Sequence, residues 1–381
     1  MSSFTQKNKI SLVFVIVPKH MRTSVVKLIN SLGARNVVRI TARGSQVQEG
    51  AWFTKIFPAP SPELESMQIL VPDCHINHFF EKVIEVSKMN AAGQGLIYSI
   101  PCDEIDHSNN YPVWTASEEE NSINLSNSDH SNNLSSIMCI IERGGADLMA
   151  KGAIHSGAHG PVVTFAEGRG VRDKIPLLRL TKTAEKEFVQ VVVDDTDLDL
   201  VFSQMAKAGR ITDPGRGFLY TTPVNKAYIN LPGVKEETTH TASMQQLIAA
   251  MDELKGNRDW RKRENEEFDS KDKKNEPVFL ENLVSLTCIT PRDQSDALIE
   301  AALEAGAPAA SVGFGSIKDA ESEKGADRNQ VNKEWGFIHL AIAPDKVDFI
   351  KDAIKKRAVD SNISEVCFYV IPVSKALTYL G

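Results

Sequence analysis

The sequence has few of the features that mark secreted, membrane-spanning or nucleic-acid-binding proteins. Its five cysteines form no CxxC pair, so we expect neither a disulfide framework nor a metal site. Cys139 and Cys288 lie inside apolar runs, where buried thiols are expected. The longest apolar runs are short, such as Leu12–Val17, whereas a membrane helix needs about 20 apolar residues. Basic residues (43) are fewer than acidic residues (50), and nucleic-acid binders usually have a basic surface. These absences predict a cytoplasmic protein that binds no nucleic acid and contacts a membrane protein at most peripherally.

What the sequence does contain is one pattern that occurs three times. Each copy begins with a β-branched apolar run, continues into a helix-spaced segment that ends in Gly-Ala, and closes with an apolar strand that ends in proline. The glycine of each Gly-Ala pair suits the left-handed backbone conformation that often follows the last residue of a helix. From that glycine to the closing proline is 68, 66 and 66 residues. The runs are 10–17, 137–141 and 284–289, the glycines are Gly33, Gly157 and Gly306, and the prolines are Pro101, Pro223 and Pro372.

The order of elements in each copy is βαββαβ, which is the split-βαβ motif of ferredoxin-like domains. We therefore predict an α+β fold of three tandem ferredoxin-like domains, at 8–108, 136–233 and 283–381, packed as a pseudo-trimer within one chain. Between them we expect a Ser/Asn-rich linker (109–135) and a segment with a helix near 242–254 followed by a charged linker (234–282). Eleven of the sixteen residues in 121–136 are serine or asparagine, a composition that disfavours order. The expected assembly is a monomeric pseudo-trimer, or a dimer of such units through outside surfaces.

The middle copy resembles the nitrogen-regulatory PII signalling family, and the outer copies share shorter stretches with it. In the middle copy the matching segments are Ile137–Arg143, 157–160 (Gly-Ala-His-Gly), 168–170 (Gly-Arg-Gly), Glu185–Val193 and Gly209–Val224. In the outer copies they are Gly93–Gly95 and Tyr98–Pro101, and Gly313–Gly315 and Tyr369–Val373.

The resemblance implies a trimer of βαββαβ units with adenyl nucleotides bound in the clefts between neighbours. It also implies a loop between the second and third strands that contacts a target protein. We therefore expect a regulatory protein and not an enzyme, with no essential cofactor, that controls a transporter or a metabolic enzyme by direct contact. Two alternatives stay open at this point: a degenerate scaffold that binds a partner without sensing a ligand, and an enzyme with an unrecognised site between repeats.

Glycine-rich turns supply the candidate binding residues. A turn such as Gly215-Arg216-Gly217 lets the backbone approach a ligand and direct its N–H groups at a phosphate, while arginine adds forked donors. No catalytic or metal-binding residues are expected. The candidates are Gly168, Arg169, Gly170, Arg172, Arg210, Gly215, Arg216 and Gly217 in the middle copy, and Gly93, Gly95, Gly313, Phe314 and Gly315 in the outer copies.

The chain departs from the PII pattern where that family holds a triphosphate. The lysine that usually follows the glycine turn is replaced by Phe218, and the two arginines after the last strand are replaced by Ile229 and Leu231. Because a triphosphate needs several cations, we expect AMP, ADP or another small anion as the ligand rather than ATP.

Overall fold

The computed structural model describes residues 4–7, 10–34, 37–45, 47–48, 62–91, 93–109, 111, 114, 133–170, 185–231, 234–235, 279–317 and 334–379. The predicted helix at 242–254, the charged linker, most of the Ser/Asn-rich linker and Arg172 lie outside the described residues. Within those ranges, no helix is long and apolar enough to cross a membrane.

The described chain is a mixed α/β protein with six α-helices and a large antiparallel sheet. The first part contains β1 (Phe4–Lys7), β2 (Ile10–Pro18), α1 (Arg22–Ser31), β3 (Val38–Gly44), β4 (Val47–Gln48), β5 (Glu63–Pro72), α2 (Ile76–Ser87), β6 (Gly95–Pro101) and β7 (Glu104–His107). The second contains β8 (Leu134–Glu142), α3 (Ala146–His155), β9 (Val162–Gly170), β10 (Glu185–Asp194), α4 (Leu198–Gly209), β11 (Gly217–Val224), β12 (Lys226–Asn230) and β13 (Val234–Lys235). The third contains β14 (Phe279–Leu280), β15 (Leu283–Pro291), α5 (Ser295–Glu304), β16 (Ala309–Ile317), β17 (Glu334–Ile342), α6 (Val347–Asp360), β18 (Cys367–Val373) and β19 (Lys375–Thr378).

The order βαββαβ occurs three times, in β2–β6, β8–β11 and β15–β18, and these stretches are called units one, two and three below. In unit one, β2 lies between β6 and β5, and β3 pairs with the other edge of β5. The same arrangement places β8 between β11 and β10 in unit two, and β15 between β18 and β17 in unit three. The outermost strands there are β9 and β16.

Both faces of these sheets are buried, which explains why the first strands are continuous apolar runs. In β2, Val13, Val15 and Val17 pack with residues of α1 and α2, because alternate side chains point to opposite faces. Leu12 and Ile16 point the other way, into a core that also takes side chains from units two and three. Each fully buried side chain of this size stabilises the fold by roughly 1.5–3 kcal/mol.

Cys139 and Cys288 stand where unit one has Val15, on the face of each sheet that carries the helices. Both are fully buried, which confirms the prediction, and burial raises the pKa of each thiol well above its ordinary value. The three first helices end as predicted, with Gly33, Gly157 and Gly306 in the left-handed region at φ 108°, 92° and 95°.

The core shared by the units contains polar side chains at matching positions of the third strands. These are Gln68 and Gln190 in units one and two, and His339 in unit three. Thr287 Oγ1 and His339 Nδ1 are 2.9 Å apart, and the ring of Phe188 stacks on the imidazole with centroids 5.9 Å apart. The imidazole keeps some accessible surface, but burial lowers the pKa of His339 to about 4, so it is neutral at pH 7.

The short strand after each unit pairs with a different unit from the one it follows. β7 pairs with β18 of unit three, β19 pairs with β11 of unit two, and β12 pairs with β6 of unit one. The three pairings form a closed cycle, so each unit receives a strand from one neighbour and gives a strand to the other.

The side chains at these three docking points are not the same. Lys226 of β12 donates to Asn77 Oδ1 of α2 at 2.7 Å, and Lys375 of β19 lies 3.2 Å from the carboxylate of Asp199 of α4. At the third docking point the lysine is on the helix and the acidic residue is on the strand: Glu104 of β7 accepts a hydrogen bond from Lys351 of α6.

The outermost strands of the three units meet in a triangle. The start of β3 pairs with the end of β16, the start of β16 pairs with the end of β9, and the start of β9 pairs with the end of β3. Residues in the middle of these strands therefore surround a common point to which all three units contribute.

Two boundaries differ from the sequence prediction. β8 begins at Leu134, so residues 134–136 of the serine-rich stretch belong to a strand; Leu134 and Ser136 are buried because they face the shared core. Strand β1 precedes the predicted start of the first domain at residue 8 and pairs with β7.

Candidate functional site

The glycine turn of unit two lies between α4 and β11. Arg210 ends the helix in the left-handed conformation at φ 53°, and Gly215 follows at φ 73°. The N–H of Arg216 donates to the carbonyl oxygen of Asp213 at 3.3 Å, which closes the turn. Gly217 then enters β11, where a Cβ atom would lie 2.3 Å from the carbonyl oxygen of Ile140, so only glycine fits.

Arg216 is the cation that this turn presents. Its Nη1 lies 3.4 Å from a carboxylate oxygen of Glu142, its side chain is one-third exposed, and its Nε has no hydrogen-bond partner among the described residues. Strand β19 forms the adjoining wall, since the hydroxyl of Thr378 donates to the carbonyl oxygen of Gly217 at 2.8 Å. The turn therefore lies at a junction of units two and three, with unused donor capacity on one arginine.

The other predicted wall, Gly168–Gly170, does not lie beside this turn. It forms the end of β9, and strands β10 and β8 separate it from β11 in the same sheet. Three strand spacings amount to about 14 Å. Arg169 is held by carboxylates on its own edge, 3.3 Å from Glu167 and 3.5 Å from Asp296 of unit three. The two glycine segments thus face different junctions.

Close backbone contacts require glycine at two of the remaining predicted positions, Gly95 and Gly315. Gly95 has φ 137°, and a Cβ there would lie 2.3 Å from the carbonyl oxygen of Ile16, the same relation that Gly217 has to Ile140. Gly93, at φ 79°, lies in the turn before it. In β16, a Cβ on Gly315 would lie 2.7 Å from the carbonyl oxygen of Arg39 in the neighbouring β3.

Gly313, by contrast, has open space around the Cβ position, and it pairs with Ala166 of β9. Its neighbour Phe314 lies under the guanidinium of Arg292, 4.1 Å from the ring centroid. Phe314 and Gly315 line a cavity.

That cavity has a volume of about 540 Å³ and lies where β3, β9 and β16 form their triangle. All three units contribute to its walls. Its aromatic residues are Phe165, which is 56% exposed, and Phe314. Its charged residues are Arg39, Arg143, Lys186, Glu167, Glu185 and Glu334.

Ion pairs organise the charged wall. Arg143 is hydrogen-bonded to Glu185, and this contact raises the pKa of Arg143. Glu334 lies 2.6 Å from Arg292. Close by, Glu187 accepts hydrogen bonds from the N–H groups of Gly144 (2.9 Å) and Ala146 (3.1 Å), which satisfies donors at the start of α3.

Sequence reasoning did not single out Arg39, Arg143, Phe165 or Lys186. A signal was present in the repeat: the residue after each first strand is basic, and the third strand begins with glutamate. The structure pairs them in every unit, as Lys19 with Glu63, Arg143 with Glu185 and Arg292 with Glu334.

No family model matches the chain, and no curated protein matches it in sequence. Among solved structures, aspartate kinase from Synechocystis aligns with a TM-score of 0.19 and 8% sequence identity. The alignment covers 97% of this chain and 52% of the kinase chain, so this chain spans about half the length of that protein. A likeness this low carries no argument about fold or activity.

Proposed function

We propose that the chain is a PII-like regulatory protein whose three ferredoxin-like units form a pseudo-trimer within one polypeptide. The observation that carries this proposal is the closed cycle in which β7, β12 and β19 each pair with a different unit. Each junction is formed by the short strand that follows one unit and the sheet of another unit, so the three units contact one another in the same way as the subunits of a ring. The proposed domains are those expected from the sequence, 8–108, 136–233 and 283–381.

The proposed ligand is an adenyl nucleotide or another small anion held at the glycine turn of unit two. What supports it is the position of Arg216 between two glycines, with a buried Nε that has no partner among the described residues. The next residue, Gly217, accepts a hydrogen bond from Thr378 of the neighbouring unit. Glu142 lies beside the arginine and repels additional negative charge, which favours AMP or ADP over ATP. Ligand binding at a junction would change how two units contact each other.

In this proposal the response is passed to a transporter or a metabolic enzyme by protein contact, in the cytoplasm and without catalysis. The segments that connect the second and third strands of the units, such as 171–184 and 318–333, would make that contact.

Isothermal titration of the full chain with AMP, ADP, ATP, cyclic nucleotides and bicarbonate tests the ligand. Arg216→Ala should weaken binding about tenfold to a hundredfold, because a charge-assisted hydrogen bond contributes about 1.5–3 kcal/mol. Arg357→Ala is a matched control: its side chain is 32% exposed against 33% for Arg216, and it also pairs with a carboxylate, Glu304. Equal losses in both variants would show diffuse electrostatics. Absence of binding by the wild type would favour the scaffold alternative, and turnover of a bound ligand would favour the enzyme.

The assembly is tested by light scattering of the purified chain. A pseudo-trimer within one polypeptide should give the mass of one chain, 42.0 kDa, or of two. A stable homotrimer with units exchanged between chains would contradict the proposal.

A further inference from the structure

The glycine turn contributes no residue to the lining of the cavity at the triangle of β3, β9 and β16, although Arg143 of the lining follows Glu142, the partner of Arg216. Arg216 and Gly217 lie at the other side of the unit-two sheet, with β8 and β10 between β11 and β9. The cavity volume, about 540 Å³, falls within the range of small-molecule sites. We propose that this cavity binds a compact zwitterion with an apolar side chain, the chemical class of the free α-amino acids.

The balance of charge in the cavity wall selects a ligand with both signs. Three cations (Arg39, Arg143, Lys186) and three carboxylates (Glu167, Glu185, Glu334) line the cavity. Two of these carboxylates also pair with arginines just outside the lining, Glu167 with Arg169 and Glu334 with Arg292. A polyphosphate would lie against the three carboxylates, and a polycation would lie against the three cations. A zwitterion can give its carboxylate to a guanidinium and its ammonium to a glutamate, so it leaves no charge unpaired.

Arg143 and Glu185 are the pair best placed to open for such a ligand. Their side chains are 58% and 55% exposed. Because an ion pair this exposed contributes little to stability, replacing each partner by a group of the ligand costs little free energy. The planar guanidinium can hold a carboxylate with two parallel hydrogen bonds. Glu334, on the wall formed by unit three, is a second carboxylate for the ammonium and would share it with its partner Arg292.

Two phenyl rings supply the apolar part of the site. Phe165 is 56% exposed, although its neighbours Thr164 and Ala166 are buried. Phe314 carries the guanidinium of Arg292 at 4.1 Å from its ring centroid, which holds that ring in place. An exposed phenyl ring in a concave, charged wall is a surface on which an aromatic or large aliphatic side chain can pack. The site should therefore prefer phenylalanine or leucine to small or charged amino acids.

Titration of the full chain with L-phenylalanine tests the proposal, with L-phenylalaninamide and N-acetyl-L-phenylalanine as probes that lack the carboxylate and the ammonium. We expect binding of the free amino acid and a loss of about tenfold or more for each blocked form. Equal binding of either blocked form would overturn the assignment of a zwitterion. Absence of binding of both L-phenylalanine and L-leucine at millimolar concentration would also overturn the assignment.

Matched variants locate the site. Arg143→Ala should lower the affinity about tenfold. Lys19→Ala, at the equivalent position of unit one and half exposed in its pair with Glu63, should not. Phe165→Ala should weaken binding, whereas Leu148→Ala, an equally exposed residue on α3, should have no effect.

Cross-titration separates this inference from the proposed function. Amino-acid binding that depends on Arg143 and persists in Arg216→Ala supports a second site. Nucleotide binding that is lost in Arg143→Ala would place the nucleotide in this cavity and overturn the inference, while a regulatory ligand would still be supported. Equal losses in the variants of Arg143 and Lys19 would show that the cavity does not hold the amino acid.

Discussion

The docking of β7 on α6 offers the sharpest test of how the units recognise one another. Glu104, Lys226 and Lys375 each lie three residues after a closing proline, on strands that dock on the second helix of another unit. Each of these side chains contacts the fifth residue of the helix. That residue is Lys351 in α6, whereas it is phenylalanine in α2 and α4. Glu104→Lys makes β7 resemble the other two strands and places two ammonium groups together.

The structure sets the size of the effect. Lys351 has only 6% of its side chain exposed, and Glu104 has 19%. Burial alone would lower the pKa of Lys351, but hydrogen bonds to Glu104 and Asp348 outweigh this and raise it. Breaking a buried ion pair by changing one partner costs about 3–5 kcal/mol. Because Asp348 remains 3.1 Å from the ammonium, we expect the lower end of that range, about 3 kcal/mol.

Urea unfolding, followed by circular dichroism, measures the change in the free energy of unfolding. The double variant Glu104→Lys/Lys351→Glu should recover part of the loss, because the pair is restored with exchanged signs while the new glutamate lies beside Asp348. The control is Glu85→Lys, which breaks an exposed pair with Lys82 and should cost less than about 1 kcal/mol. If Glu104→Lys costs no more than the control, or if the penalties of the two single variants add in the double variant, the charges do not select the docking partner.

Three further predictions follow from buried groups. Gly217→Ala should destabilise the protein by about 3 kcal/mol or more, because the new Cβ would lie 2.3 Å from a backbone oxygen. The control, Gly313→Ala, places its Cβ in open space and should cost less than about 1 kcal/mol, as thermal unfolding of the two variants would measure. The pKa of His339 is about 4 in the fold against 6.5 unfolded, so the unfolded chain gains the proton first as the pH falls. His339 therefore stabilises the fold above pH 6.5 and loses this contribution, at most about 3 kcal/mol, towards pH 4; His339→Gln should flatten the measured pH dependence in that window. Cys139 and Cys288 should resist a bulky thiol reagent under native conditions, and rapid labelling of both would show that their strands are not packed as described.

The sequence predicts elements well where the signal is local. The first, third and closing strands were found because both of their faces are buried, which leaves continuous apolar runs. The ends of the first helices were found because Gly33, Gly157 and Gly306 have the backbone conformation that glycine favours. Each of these signals lies within the element that it identifies.

The short strands and the cavity were missed because their partners are far away in the chain. Glu104–His107 contains one apolar residue, Ile105, in only four positions, and its partner β18 begins at Cys367. Nothing in four residues specifies that pairing. Similarly, Arg143 and Phe165 look like ordinary exposed residues until β3 and β16 are placed beside them. The recurring basic–glutamate pair is present in all three copies of the sequence, but the space between the pairs depends on how the units pack.

Because the three units lie in one chain, equivalent positions around the cavity can carry different side chains. The middle positions of β3, β9 and β16 are Thr41, Phe165 and Phe314, which pair with equivalent residues of the third strands. Three identical chains would place the same side chain at all three positions, and three phenyl rings would crowd the space. Two phenyl rings and one threonine leave one side open, and the threonine, with Arg39 beside it, lines that side of the cavity. Sequence differences between the units also place Glu104 against Lys351 at one docking point, while lysines of the short strands make the contacts at the other two. Differences of this kind therefore specify both the order of the units and the shape of the cavity.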